Sequence, residues 1–532
     1  MEYYEVRNVS HTKEMLGRSA WDFGNKAAFR FKRGNEVAEC SYVQLKEQVD
    51  ALGTALFYDG EKSTAPAHIA ILSENRFEWI LSYLAVIGGA GVAVPVDRDL
   101  PDESIRIILE RGDVTAVIHS GTYEKILQNM DLPGVRLIGM DSGGLQSLID
   151  TGRRLLREDQ NGYLEAEIDT GKTAAILFTS GTTSFSKGVM LSQKNLISNI
   201  LGATAINKFS GNDTMFSILP YHHAFESTIG LLASLNYGAT VCINDSFKYL
   251  AKNFQLFKPN AMFAVPAVVY GMFKRVKDAE KALGRSVTPE EVKGAFGGNL
   301  KRIHCGSAPL QPEVIEALNA LGIELFQGYG LTETSPVVSS MRGEFLQGGG
   351  MTSVGVKVPC CEVKVQGGEI LIKGDNVFSG YYKDEERTRE AFTKDGWFKT
   401  GDLGRIDDNG LLYILGRKKN VIIAPSGENI YPEEIEEAFT GSRVVQNVLV
   451  HGGENNDVIT AVILPDYENL EGMSGDEIQK VVLEEVRGIN KRFPLYKHIT
   501  EVKIRTSPFE QTTSKKIKRN KYNKQEGDVI RV

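Results

Sequence analysis

Short β-branched apolar runs alternate with helix-length amphipathic segments through most of this chain. The first series predicts strands at residues 68–72, 92–96 and 116–119 and helices at 78–87, 104–111 and 123–130, the rhythm of parallel strand–helix units. It resumes with strands at 174–178, 215–219, 240–244, 262–265, 302–305 and 324–327. Helices are expected near 194–205, after His223, at 268–283 and at 313–321. After Gly350 the texture changes to closely spaced short strands with glycine turns, at 361–366, 369–373 and 410–415. Past the Gly416-Arg-Lys-Lys-Asn420 turn come a strand, a helix at 432–439, strands at 445–450 and 458–464, a long helix at 476–493 and a strand at 501–505. The expected fold is α/β: a large multi-subdomain body with mostly parallel sheets over residues 1–416, β-rich from about 350, then a small α+β C-terminal domain over 417–532.

The most membrane-like stretch, residues 79–96, is broken by Gly88-Gly-Ala-Gly91 and ends at Pro95 and Asp97. It reads as a buried helix, a glycine turn and a buried strand. Composition changes little in this picture. At 532 residues with 42% apolar and 24% charged residues the chain has ample material for several cores. A net charge of −7, with Lys and Arg clustered only near the C-terminus, argues against nucleic acid as the main partner. The five cysteines show no metal-ligand spacing, and the N-terminus has no basic start followed by an apolar run. A cytoplasmic protein with at most peripheral membrane contact is expected.

Chemistry first suggests itself at residues 176–188, where an apolar run ends in Thr179, Ser180, Gly181, Thr182, Thr183, Ser184, Lys187 and Gly188, with a helix expected after it. Small residues free backbone N–H groups to turn toward an anion, hydroxyls add donors, and Lys187 brings a mobile cation. The spacing is not that of a P-loop, since Ser186 precedes the lysine and Gly188 follows it. A polar turn between strand and helix would read the same way. Gly328-Tyr-Gly-Leu-Thr-Glu-Thr334 follows another expected strand, at the sheet end where α/β proteins bind ligands. There Tyr329 could stack on a base, Thr332 could donate to a phosphate, and Glu333 offers the hard oxygen that Mg²⁺ prefers, although a core tyrosine and a helix-capping pair fit equally. Asp402, after a glycine turn, could accept two ribose hydroxyls or simply close the turn. Arg417 and the basic run at 512–519 are either anion contacts or solvated charge.

In this order the motifs resemble those of the adenylate-forming superfamily, which includes acyl-CoA synthetases, aryl-CoA ligases, luciferases and nonribosomal adenylation domains. Residues 179–188 resemble its Thr-Ser-Gly-Thr-Thr-Gly-x-x-Lys-Gly loop, 329–333 its Tyr-Gly-x-Thr-Glu, and 400–402 its Thr-Gly-Asp. Residues 416–422 resemble its linker motif and 514–517 its Ser-Gly-Lys-Ile loop. The resemblance implies a two-step reaction in which a carboxylate attacks the α-phosphate of Mg·ATP and a thiol, that of CoA or of an acyl carrier protein, then displaces AMP. It further implies that Lys516 is the adenylation lysine, that Thr332 and Glu333 serve phosphate and Mg²⁺, and that Thr179 to Thr183 with Lys187 grip the leaving phosphates. Gly306, Ser307, Ala308, Pro309, Gln327, Gly328, Tyr329 and Gly330 would flank the adenine, and Asp402 and Arg417 the ribose and phosphate. Lys419 would be the hinge on which the small domain turns to present the thiol side, with Gly427 and Glu428. Three positions depart from the pattern: Ser184, Lys515 and Cys360 stand where glycine is usual.

Tyr221-His-His-Ala-Phe-Glu226 resembles a segment of fatty acyl-CoA synthetases, which makes His222, His223 and Phe225, with Gly328 and Gly330, candidate acyl contacts and residues 227–235 a candidate apolar wall. No aspartate lies at 221–230 to pair with an amino-acid amine. A medium- or long-chain fatty acid is the expected substrate; the alternatives are an aryl or short-chain acid, carrier-protein ligation, or a non-catalytic nucleotide-binding protein of the same fold.

Overall fold

A computed structural model of the chain describes residues 2–60, 67–179, 187–346, 349–424, 428–453, 458–511, 516–522 and 528–532. The body carries two large sheets. In one, seven strands run in the order Gly380–Tyr381, Lys187–Ser192, Thr173–Thr179, Val92–Pro95, His68–Leu72, Ala116–His119 and Arg136–Gly139. The last five of these pair in parallel. In the other, nine strands include the parallel set Thr240–Ile243, Thr214–Ser217, Ala261–Ala264, Arg302–Cys305 and Glu324–Gly330. Helices cover both faces, so these strands are apolar on both sides. A four-stranded antiparallel sheet spans Cys361 to Arg417 and is the β-rich part expected from the sequence.

Residues from Ile422 onward have their own apolar core, with Ile435, Val450, Ile463, Val482, Val486 and Val502 at its centre. The helix Gly475–Asn490 reaches that core with Ile478, Val482, Val486 and Ile489, the i, i+4 spacing of one helix face. Its start is fixed by a capping box between Ser474 and Glu477.

Two elements depart from expectation. The glycine- and hydroxyl-rich stretch does not lead straight into a helix: Thr173–Thr179 and Lys187–Ser192 are antiparallel, Thr179 facing Lys187, and the helix Gln193–Ile206 begins only after them. The candidate phosphate-loop residues therefore come, in sequence, between two paired strands rather than between a strand and a helix. An unforeseen hairpin, Ala27–Arg33 with Glu36–Ser41, closes the edge of the nine-stranded sheet. The segment at 79–96 is as expected: helix Phe77–Ala85, a π-helical turn Val86–Ala90 and strand Val92–Pro95, all buried in the core. Among the described residues no helix is long and apolar enough to cross a membrane. Cys360, which replaces a glycine, packs against Gly202, where an added Cβ would lie 2.7 Å from its sulfur.

A cross-strand row Phe263–His304–Phe326 stacks through the nine-stranded sheet, with ring centroids 5.2 and 5.1 Å apart. His304 is 7% exposed. Burial, with a smaller push from Arg302, lowers its pKa from 6.5 to about 3. As pH falls from 6.5 toward 3 the unfolded chain takes up a proton that the native chain refuses, so native stability is lost across that window. At pH 5 the loss from this one ring is about 2 kcal/mol. His304→Phe should therefore narrow the gap between thermal midpoints at pH 7 and pH 5; an unchanged gap would refute the assignment.

Candidate active site

The ends of the body's strands open on a cleft of about 3410 Å³ that is closed on its far side by the C-terminal residues. Lys187, Thr332, Glu333, Asp402, Arg417, Lys419 and Lys516 all line it. One floor of the cleft is the strand Glu324–Gly330, whose end passes tightly against the next segment: a Cβ on Gly330 would lie 1.7 Å from the carbonyl oxygen of Pro336. Only glycine fits there, and the close approach sets where the turn Thr332–Thr334 presents Thr332 and Glu333.

Asp402 and Arg417 face one another across the antiparallel pair Phe398–Ile406 and Leu412–Arg417, and the guanidinium Nε lies 2.9 Å from the carboxylate. Asp402 is 5% exposed, and its second oxygen accepts from the Tyr329 hydroxyl at 2.6 Å. Burial raises the pKa of Asp402, while Arg417, Tyr329 and Lys516 pull it back. Burial first, then the Asp402 carboxylate, pushes the Tyr329 phenol well up, with Arg417 opposing. Tyr329 is thus tied by its hydroxyl to the carboxylate and keeps a ring face on the cleft.

Glu333 accepts a hydrogen bond from the Tyr381 hydroxyl at 2.9 Å, and its own carbonyl accepts from Phe378 N–H at 2.8 Å. Lys187 stands over the Tyr381 ring, 4.6 Å from its centroid. Tyr381 belongs to a two-residue strand laid against Val189 of the phosphate-loop hairpin. Nothing in its local sequence marks it out, since its role depends on that long-range pairing.

Lys516 lines the cleft and is exposed to the solvent within it. Desolvation by the surrounding cleft walls, then Arg417, lowers its pKa, and Asp402 partly offsets the effect. Its charge is also felt by His223, whose pKa burial and Lys516 bring down to about 4. His222 lies against His223 in a tilted contact with centroids 4.3 Å apart, its Nε2 3.5 Å from Asp97, and burial holds its pKa well below the usual value. Lys419 is likewise lowered, by burial first and then by Arg417, Arg519 and Lys187.

Phe225 lines the cleft with its ring edge-on to Phe263, 5.3 Å away. A Cβ on Gly306 would come within 3.3 Å of that ring. Residues 227–235, expected as an acyl wall, are instead buried in the core and do not line the cleft. Besides Phe225, the apolar lining of the cleft includes Leu250, Phe254, Val268, Met272 and Phe296. These come from separate helices and loops and carry no contiguous sequence signal.

Ser307, Ala308 and Pro309 also line the cleft, Ser307 in left-handed backbone conformation at φ 81°. Gln327 braces this loop: its Oε1 accepts from Leu310 N–H at 3.0 Å and its Nε2 donates to the Met351 carbonyl at 2.8 Å. Ser180, Gly181, Thr182, Thr183, Ser184, Gly427 and Lys515 lie outside the described residues. Glu428 is exposed and is not among the cleft-lining residues.

Residues 16–382 match the family model described as "AMP-binding enzyme", and residues 419–531 the model of an AMP-binding enzyme C-terminal domain. The chain belongs to the AMP-binding enzymes. This AMP-binding enzyme is 29% identical to the mouse protein named long-chain-fatty-acid–CoA ligase 5, over 95% of this chain and 85% of that one. It is 29% identical to the human long-chain-fatty-acid–CoA ligase 1, over 85% of this chain and 75% of that one. Its fold is that of the Bacillus subtilis O-succinylbenzoate coenzyme A synthetase solved with AMP, with TM-score 0.76, 22% identity, and 97% and 99% of the two chains covered. A Mycobacterium tuberculosis fatty acyl CoA synthetase gives TM-score 0.69 at 23% identity, covering 96% of each chain.

Asp402→Asn would keep the shape but remove the charge that holds Arg417. It should weaken ATP binding by roughly tenfold or more in calorimetric titration, since a charge-assisted pair is lost in a buried setting. Unchanged affinity would remove Asp402 from the nucleotide site.

Proposed function

We propose that this AMP-binding enzyme joins a carboxylic acid, a medium- or long-chain fatty acid, to CoA in two steps. The acid's carboxylate oxygen attacks the α-phosphorus of ATP, giving acyl-adenylate and pyrophosphate. The thiol sulfur of CoA then attacks the acyl carbon, expelling AMP and releasing a proton. The observation that carries this reading is the convergence, in one cleft, of Lys516 with Asp402 and Arg417 and of an apolar lining that includes Phe254, Val268, Met272 and Phe296. A cleft lined both by cations and by large apolar side chains suits an anionic head and an aliphatic tail.

In the first step two anions must approach, so fixed positive charge and donors matter more than proton transfer. Lys516 would bridge the substrate carboxylate and the α-phosphate, Lys187 with Thr179 to Thr183 would hold the leaving phosphates, and Asp402 would take the ribose hydroxyls with Arg417 beside it. Tyr329 offers its ring to the adenine alongside Gly306–Pro309, with Gly328 and Gly330 clearing the backbone for the acid. Neutral His223 and His222 would border the acid's head group. Among the described residues no cluster of three His, Cys, Asp or Glu side chains could hold a metal by itself. That fits Mg²⁺, which keeps waters and binds through one carboxylate together with substrate phosphates; Glu333, oriented by Tyr381, is that carboxylate, and the ion would neutralise phosphate charge.

Lys419 is the proposed hinge between residues 1–416 and 417–532. Turning there would withdraw Lys516 after adenylation and bring round Gly427 and Glu428, which supports Glu428 lying off the cleft in the arrangement seen here.

Lys516→Ala should abolish acyl-adenylate formation while sparing CoA transfer from supplied acyl-adenylate; equal loss of both half-reactions would sink the assignment. Acid-dependent AMP release should be greatest with fatty acids and should require CoA for turnover. Release only with benzoate-like acids would defeat the fatty-acid reading, and turnover only with an acyl carrier protein would defeat CoA as the acceptor.

A further inference from the structure

The cleft needs groups from both sides of Lys419, so something must hold the two sides in register while the first step occurs. Gln311 follows directly on the loop Gly306–Leu310 and reaches across to the C-terminal residues. Its Nε2 donates to the carbonyl oxygens of Glu437 at 2.8 Å and Thr440 at 3.0 Å. Glu437 closes the helix Pro432–Glu437, and its carbonyl, which lies past the helix's own ladder, is shared between the Thr440 N–H at 2.9 Å and Gln311. Gln311 itself stands on a braced base: its backbone N–H donates to the Tyr270 hydroxyl at 3.1 Å, and the preceding Leu310 N–H is held by Gln327.

On the same helix, Glu436 accepts from the Val450 N–H and pairs with Arg519. The other arm of the Arg519 guanidinium donates to the Val450 carbonyl at 2.8 Å. Arg519 lies three residues after Lys516. Glu433, one turn earlier, accepts from Asn420 beside the hinge. A continuous set of contacts thus runs from the adenine-side loop, through Gln311, helix Pro432–Glu437, Glu436 and Arg519, to the segment that carries Lys516.

We propose that Gln311 is a positioning residue that latches helix Pro432–Glu437 to the loop Gly306–Leu310, and that Glu436 and Arg519 relay the helix's position to Lys516, favouring the adenylation arrangement. The proposal rests on Lys516 being the adenylation lysine. Two neutral hydrogen bonds have a modest net worth, enough to bias an equilibrium between domain arrangements without freezing it. The latch also works against an opposing force. The Glu437 side chain is crowded by Glu434 on its own helix and by Glu313 across the interface, and burial with these like charges raises its pKa to about 7. Gln311 thus ties together two surfaces whose carboxylates repel.

The test measures the two half-reactions separately on the full chain: acyl-adenylate and pyrophosphate formation from ATP and acid, and CoA transfer from supplied acyl-adenylate. Gln311→Ala should slow adenylation about tenfold and leave transfer within about twofold of wild type. Retained transfer shows that the variant is folded. Arg519→Met should give the same split, and Gln311→Lys, which restores a donor facing the two carbonyls, should recover part of the adenylation rate. Unchanged adenylation in Gln311→Ala, or a parallel fall in both half-reactions, overturns the latch. Lys516→Ala measured alongside separates the two ideas: if it too loses both half-reactions equally, the lysine assignment falls and the latch with it. If Lys516→Ala is selective and Gln311→Ala is not, the latch alone falls.

Discussion

A buried carboxylate needs a partner, and in this protein Asp402 has two: the Arg417 guanidinium and the Tyr329 hydroxyl. Removing a carboxylate from water without such partners would cost several kcal/mol. The pair therefore constrains what surrounds it. It requires the register in which strand Phe398–Ile406 sets Asp402 opposite Arg417, and it requires strand Glu324–Gly330 to end where Tyr329 can reach across. Arg417 is also the last residue of its strand before the short turn that contains Lys419. The same ion pair that shapes the nucleotide side thus anchors the root from which the C-terminal residues hang.

The cations of the cleft are held closer together than their mutual repulsion favours. Lys419 feels Arg417, Arg519 and Lys187, and Lys516 feels Arg417. Each is lowered as a result, burial adding the larger share. Such an arrangement is costly by itself, and a polyphosphate bound beside these groups would relieve it. Preorganisation of this kind is what a reaction between two anions demands, because little charge has to be rearranged as the barrier is crossed.

Much of this was legible in the sequence, for a physical reason. Gly330, Asp402, Arg417 and Lys516 lie in short motifs whose residue types are dictated locally, by a backbone too close for a side chain or by a charge that chemistry requires. Other parts were not legible, because their placement is tertiary. Tyr381 reaches Glu333 only through a two-residue strand paired with strand Lys187–Ser192, and the apolar lining of the cleft draws on elements far apart in the chain. Gln311 looks like any polar residue before a helix. The strand Lys187–Ser192 was hidden because a lysine and glycine at its start read as loop, and its pairing with Thr173–Thr179 is fixed across residues that carry no strand pattern. The expected wall at 227–235 failed for a related reason. Apolar character shows that a segment is buried, but not whether it faces a ligand or a neighbouring helix.

The meeting of Cys360 and Gly202 gives the exceptional cysteine a different meaning. From the turn before strand Cys361–Gln366 the thiol fills the hollow left by the missing side chain of Gly202 on helix Gln193–Ile206, so the two positions share a single fixed volume. Neither can change freely without the other: a larger residue at 202 collides with the sulfur, and a smaller one at 360 leaves that hollow unfilled. The departure from pattern at Cys360 is thus half of a matched pair, each position setting the size the other can take.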